Sequence, residues 1–533
     1  MPLNVDSLEK VASEIPIAAK KLACFNPATG ELLHEFVCSG EAEVREAVAR
    51  SRVWQLPWYE LSVQKRIGIL RKFQNLLHKN KSEIAQAITR ESGKPYVEAL
   101  TTEVLVVLDA TQFLIENAHR LLREESVPHA NLAMQTKAGR ILRQPYGVVG
   151  IISPWNYPFS IPGTESLAAL VAGNAVVLKP SEFTSMSALH LGSLLYEAGV
   201  PKNVFQVLPG DSGSGAALIG SGIDKLVFTG SVPTGKRIAQ LAAARFLPVV
   251  LELGGKDAML VLDDADLEVA SSGAIWGAFV NAGQACLSVE RCYVHRSIYE
   301  SFLKLCAGKA TQLRVGNGLN PEVEIGPLIH GRHLQVVEAH VEDARSRGAR
   351  VVAGGKRLTE LGENFYAPTV LADVLQEMRI MREETFGPVL PLMAFDTEEE
   401  AIKLANDSEY GLAASVWTCN RERGEAIARR IQAGTVMIND VVSCFGISEA
   451  PHGGVKASGI GRTHGKFGLD EMVRIKYLDS DCLTGVKKVW WYKYGEAFSR
   501  QMESFLDLQF APQLTRKLRG ALGSAGVYIR RRL

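Results

Sequence analysis

Val148-Val149-Gly150-Ile151-Ile152, Ala175-Val176-Val177-Leu178, Val204-Phe205-Gln206-Val207-Leu208 and Lys225-Leu226-Val227-Phe228 are short apolar runs, and a fifth spans 248–253. Helix-like patterns separate them at 161–171, 186–198, near Ala216 and at 234–244. Strands that are apolar throughout, rather than at every second residue, are covered on both faces. Strand and helix in alternation therefore predict a doubly wound parallel sheet, the α/β architecture that binds nucleotides at the carboxyl ends of its strands.

Outward from this stretch, 256–435 reads as a second α/β region, with helices near 297–313 and 334–346 and strand-like runs at 259–262 and 390–395. The first hundred residues are mainly amphipathic helix. In 63–77, for example, Ile67, Leu70, Phe73 and Leu77 recur on one face. A chain of 533 residues suggests two or three such domains.

The net charge of +1 gives the whole chain no electrostatic claim on nucleic acid. Its eight cysteines form no Cys-x-x-Cys pair and no spacing of a metal site, so no metal is expected, and such sparse usage points to a reducing compartment. The first twenty residues carry Asp6, Glu9 and Glu14 without a long apolar core, and the apolar run 167–178 is broken by Gly173 and Asn174. A cytoplasmic protein is expected. The segment 485–533 stands apart: ten Lys or Arg against three acids leave it at +7 and the rest at −6. Within it Trp491, Tyr494, Phe498, Met502 and Phe505 fall three or four apart, an apolar stripe flanked by basic residues. This segment is expected to meet a membrane surface or a neighbouring subunit.

Phe279-Val280-Asn281-Ala282-Gly283-Gln284-Ala285-Cys286 sets a thiol on a loop of small residues, thirty-four positions after Glu252, which ends an apolar strand before Gly254 and Gly255. Alone, Cys286 reads more readily as a small buried apolar residue, and Glu252 equally well as a salt-bridged strand end. Together they supply a nucleophile and a general base. Pro154-Trp155-Asn156-Tyr157-Pro158 follows the first sheet strand, where Asn156 could offer an uncharged N–H to an oxyanion, as could the amide of Cys286. Lys179 and Glu182, after the second strand, could each bond a ribose hydroxyl, and the carboxylate would repel a 2′-phosphate. The turn Phe228-Thr229-Gly230-Ser231, with Gly235, could face a pyrophosphate, although it lacks the Gly-x-Gly-x-x-Gly pattern.

Taken jointly, these motifs resemble those of the NAD(P)-dependent aldehyde dehydrogenase superfamily. The resemblance runs from Asn26-Pro27-Ala28-Thr29-Gly30 through Glu384-Thr385-Phe386-Gly387-Pro388 and Gly453-Gly454-Val455-Lys456-Ala457-Ser458-Gly459 to Tyr477. It implies Cys286 as nucleophile, Glu252 as base, and Asn156 with the Cys286 amide as oxyanion hole. It further implies Trp155, Lys179, Glu182, Gly230, Ser231, Gly235, Glu384 and Phe386 on NAD, with NADP as the alternative cofactor. Tyr157, Leu287 and Phe445 are expected in the substrate tunnel. The implied domains are a cofactor domain (1–125 and 146–254), a catalytic domain (255–450), oligomerisation strands (126–145 and 470–482) and the basic extension 485–533. The expected activity is oxidation of an aldehyde to an acid in a homodimer or homotetramer; transfer of the acyl group to coenzyme A, or a non-catalytic binding protein on the same fold, are the competing readings. His452 departs from the resemblance, standing where such chains commonly carry Phe.

Overall fold

The computed structural model describes residues 20–485, 487–488 and 490–529, with side chains of the last helix through Ala525. The five apolar runs form the parallel strands Val148–Ile152, Ala175–Lys179, Phe205–Val207, Lys225–Thr229 and Val249–Glu252. Every residue of the first two is buried, as their lack of alternation requires. A sixth strand, Gly459–Ile460, adds antiparallel to Leu251 and Glu252. Two residues are too few to carry a periodic signal, which is why the sequence showed five strands.

Across the sheet, Ala175–Lys179 and Phe205–Val207 lie on one side of Val148–Ile152, and Lys225–Thr229 and Val249–Glu252 on the other. Strand order thus reverses between Val148–Ile152 and Lys225–Thr229. In an open α/β sheet the crevice for a ligand opens at that reversal, beyond the carboxyl ends of the strands. Asn156, Ser231 and Glu252 all follow or end strands bordering it.

A second sheet of seven strands runs in the order Arg350–Ala353, Thr369–Ala372, Val389–Phe395, Val289–His295, Asp257–Val261, Ala413–Trp417, Thr435–Ile438. All neighbours are parallel except the first pair. Met259, Leu260, Tyr293, Val294 and Leu392, all fully buried, form the centre of its core.

Both sheets belong to one compact body, made of the described residues up to Leu121 and of Pro145–Val473. A second body comprises Leu122–Gln144 and the described residues from Arg474. It holds a three-stranded sheet in the order Val473–Asp481, Lys137–Pro145, Glu125–Val127, followed by the helices Glu496–Phe510 and Leu514–Ile529. The aromatic stripe expected in the extension is not one helical face. Gly495 is extended, the helix starts at Glu496, and Trp491 and Tyr494 precede it. Among the described residues no helix is long and apolar enough to cross a membrane.

Candidate active site

The thiol loop is built against local preference. After the helix Leu267–Phe279 the backbone runs through three successive left-handed residues, Asn281 (φ 53°), Ala282 (φ 55°) and Gly283 (φ 72°). Such conformations cost a side-chain-bearing residue about 1–2 kcal/mol each and persist only where the surroundings over-determine them. Here a Cβ on Gly283 would fall 2.2 Å from the Gly387 carbonyl oxygen, so only glycine fits. The Asn281 amide donates to buried Glu98 Oε2 (2.9 Å), and its side chain donates to the carbonyls of Asn156 and Gln284 (both 3.1 Å). Gln284 accepts from the Ile329 amide (2.9 Å).

Asn156 is fixed by groups that sequence reasoning missed. Fully buried Lys94 donates to the Asn156 carbonyl (2.8 Å) and to Glu103 (2.6 Å). Glu103 in turn accepts from the amides of Phe159 (3.1 Å) and Ser160 (2.7 Å), at the start of the helix Ser160–Ala172. The Asn156 side-chain N–H2 donates once within the protein, to Gln284 O (3.1 Å). Among the described residues no acceptor takes the Cys286 amide hydrogen. Both proposed oxyanion donors therefore retain N–H capacity, on the same cavity wall.

The glycine pair after Glu252 brings three loops together. A Cβ on Gly254 would meet the Glu384 carboxylate at 2.4 Å, and one on Gly255 the Cys286 carbonyl oxygen at 2.4 Å. The Gly255 amide donates to Glu384 (3.0 Å). Glu290, ion-paired with buried Lys256, accepts from the amides of Thr385 and Phe386 and so fixes the Glu384-Thr385-Phe386 turn.

Cys286 lies where two cavities meet. The first, about 260 Å³, is the crevice at the strand-order reversal; Trp155, Asn156, Gly230, Ser231, Glu252, Glu384 and Phe386 all line it. Trp155 and Phe386 meet edge to face at 5.5 Å, with His333, unforeseen from sequence, beside both. Ser231 precedes the helix Val232–Ala243 without capping it, which leaves that N-terminus able to receive an anion. Gly235 packs on Leu253, where a Cβ would clash at 2.4 Å, rather than lining the crevice. Lys179 and Glu182 lie 3.6 Å apart and outside the lining of this cavity.

The second cavity, about 250 Å³, brings Tyr157, Leu287 and Phe445 together with Cys286. Val106, Ile161 and Trp276 extend its apolar wall, and Thr101, Thr102 and Ser443 supply its hydroxyls. No charged side chain lines it among the described residues.

Burial dominates the electrostatics. It pushes the Cys286 thiol well above its ordinary range, with Asp257, Glu384 and Glu252 adding repulsion. It also raises Glu252 well above a usual carboxylate, helped by nearby Glu165, while Arg462 opposes. Neither Glu252 oxygen has a hydrogen-bond partner among the described residues. The nearest cationic candidate is His452 Nε2 at 3.8 Å, but burial first, then His464, holds that imidazole down at about 3. It is neutral near pH 7 and gives no salt bridge. Among the described residues no cluster of His, Cys, Asp or Glu could hold a metal.

The chain belongs to the aldehyde dehydrogenase family, whose model matches residues 16–478, and is thus an oxidoreductase acting on aldehydes. Among curated relatives, 4,4'-diapolycopene aldehyde oxidase from Methylomonas sp is 40% identical over 91% of each chain. The mitochondrial succinate-semialdehyde dehydrogenase of Oryza sativa subsp. japonica is 39% identical over 86% of each. Of the solved structures, an NAD+ complex of an aldehyde dehydrogenase from Bacillus cereus superposes with TM-score 0.83 at 35% identity, covering 90% of this chain and 99% of that one. An NAD-dependent aldehyde dehydrogenase from Sinorhizobium meliloti gives 0.85 at 36%, covering 89% and 94%.

Proposed function

We propose that this chain oxidises an apolar aldehyde to its carboxylic acid through a covalent adduct on Cys286. The observation that carries this reading is the position of Cys286 at the meeting of an apolar cavity and the crevice holding Glu252. A nicotinamide dinucleotide in that crevice, held by Trp155, Ser231, Glu384 and Phe386, would supply the hydride acceptor. The uncapped helix end at Ser231 suits its pyrophosphate.

The protein's own part divides into two stages. Cys286 Sγ, its proton released to solvent water, adds to the aldehyde carbon, and the carbonyl oxygen gains negative charge opposite the N–H groups of Asn156 and Cys286. Loss of hydride from the adduct leaves an acyl thioester on Cys286. Glu252, with both oxygens free of hydrogen bonds, then accepts a proton from water while that water's oxygen attacks the thioester carbonyl. The C–S bond breaks and the departing sulfur takes up the proton. An unpaired base facing the thiol cavity supports hydrolysis over transfer to coenzyme A, which has no need to activate water.

Substrate class follows from the lining of the second cavity. Burying a substrate carboxylate without a partner costs several kcal/mol, and no lining cation is available. This separates the chain from a relative named for succinate semialdehyde. Glu182 supports NAD over NADP by the repulsion argued above.

Cys286→Ala should abolish aldehyde-dependent formation of reduced cofactor, followed at 340 nm; retained turnover refutes the nucleophile. In the same assay, a succinate-semialdehyde kcat/KM equal to that of a long-chain alkyl aldehyde overturns the substrate class. NADP turned over better than NAD overturns the role of Glu182.

A further inference from the structure

We propose that the C-terminal helical hairpin is a docking surface for an anionic lipid bilayer. Its helices, Glu496–Phe510 and Leu514–Ile529, are joined by Ala511-Pro512-Gln513 and pack on each other through small residues. A Cβ on Gly520 would meet the Leu508 amide nitrogen at 2.3 Å and the Ser504 carbonyl oxygen at 2.5 Å, and one on Gly523 would meet Ser504 Oγ at 2.3 Å. Backbones this close leave no room for large side chains between them. The leucines of the second helix are therefore not hairpin core. Leu514, Leu518 and Leu522, spaced by one helical turn each, are 71%, 60% and 81% exposed. Phe510, next to them across the turn, is 67% exposed, and Trp491 and Tyr492 are exposed just before the hairpin.

Charge decides what covers this stripe. Arg516, Lys517 and Arg519 alternate with the leucines, none is ion-paired among the described residues, and no acid occurs from Leu514 to the chain end. Three more arginines, 530–532, follow in the sequence outside the described residues. A second copy set symmetrically on this face would bring like charges together, and protein interfaces exclude Lys from their centres. Leucine and aromatic side chains flanked by Lys and Arg instead match the acyl boundary and phosphate headgroups of an anionic leaflet. The helix is too short and too charged to span, so it lies in the interface plane. Docking would hold the enzyme where apolar aldehydes partition, yet the proposal stands on the hairpin alone and is independent of the chemistry at Cys286.

Flotation of the full-length protein with two kinds of vesicle provides the test: phosphatidylcholine alone, and phosphatidylcholine mixed with phosphatidylglycerol. Binding is expected to the mixed vesicles and to weaken with added salt. Each basic residue near such a surface contributes about a fivefold factor in partition, so K517E/R519E, which reverses the two charges flanking the leucine stripe, should lower it at least about twenty-five-fold. Leu518→Ser with Leu522→Ser should lower it about tenfold or more, with unchanged circular dichroism and unchanged turnover of a water-soluble aldehyde. Equal binding to both vesicles, or none to the mixed ones, overturns the proposal. So does a fall in oligomer mass in the leucine variant by light scattering, since the stripe would then be a contact between copies.

Discussion

Burial raises the Glu252 carboxyl well above the ordinary carboxylate range, and this sets the pH behaviour of the reaction. A base works only in its ionised form, and burial has raised the pKa of both Glu252 and Cys286, so each gains active form as pH increases. We expect kcat to climb from neutral into alkaline pH instead of peaking below neutrality. Glu252→Gln should keep a single-turnover burst of about one reduced cofactor per site and lose about 10²–10⁴-fold in steady-state rate. Stopped-flow absorbance at 340 nm separates the two, and loss of the burst along with turnover would deny Glu252 a role confined to hydrolysis. His452 lies beside the same group. Its imidazole, neutral and 3.8 Å away, is a polar neighbour, and His452→Phe would take that neighbour from the ionised carboxylate. The rise of kcat with pH should then begin at higher pH than in the wild type. Glu252, Cys286 and Asn156 stood out in sequence only when their runs were taken together, and the structure sets all three on one cavity. His452 was visible only as a departure, since its contact with Glu252 spans two hundred positions.

At the scale of elements, the thiol loop and the Asn156 turn are held from 94–103, a short loop running into a helical segment, which carries no local mark of function. Lys94, Glu98 and Glu103 look like ordinary surface charges in sequence, and their meaning lies in contacts up to 183 residues away. Lys94 is the most exacting of them. Burial lowers its pKa while Glu103 opposes, so the cation is retained by that pair and by the Asn156 carbonyl. Lys94→Met leaves the Glu103 charge without its partner inside the protein and should cost about 3–5 kcal/mol in calorimetric or denaturant unfolding. Adding Glu103→Gln removes that stranded charge and should recover part of the loss; strictly additive effects would show that the two do not act as a pair. Gly283→Ala tests the loop directly. The new methyl group would press on the Gly387 carbonyl in a backbone conformation alanine disfavours, so the Cys286 thiol should move and its alkylation rate change even where the fold survives. The doubly wound sheet was legible for the opposite reason: its strands are buried on both faces, so their composition is written locally. The aromatic stripe of the C-terminal segment is not a single face because its three-four spacing passes through Gly495, where the backbone is extended.

For the whole molecule, the open question is what the second body's sheet meets. Val473–Asp481 is its edge strand among the described residues, so alternate residues beyond Arg474 turn their backbone donors and acceptors away from the sheet. Ile475, Tyr477 and Leu478 are exposed on it as well. Its inner edge is anchored to Lys137–Pro145, with Tyr477 hydrogen-bonded to His129 (2.8 Å) and Lys137 ion-paired with Asp479. A well-anchored strand with an apolar outer surface is suited to pairing with another chain. We propose a second copy of this protein as that chain, giving a homodimer or a larger homo-oligomer. An aspartate at Ile475 would place a carboxylate in the interface, where desolvation is unfavourable by several kcal/mol, while the anchoring contacts within one copy stay intact. Ile475→Asp should therefore shift sedimentation toward the monomer and lower the thermal midpoint in a concentration-dependent way, because oligomers gain stability by mass action. A wild-type protein that sediments as a monomer at micromolar concentration, or a variant with unchanged mass, would show that this edge is guarded by its own geometry and not by a neighbour.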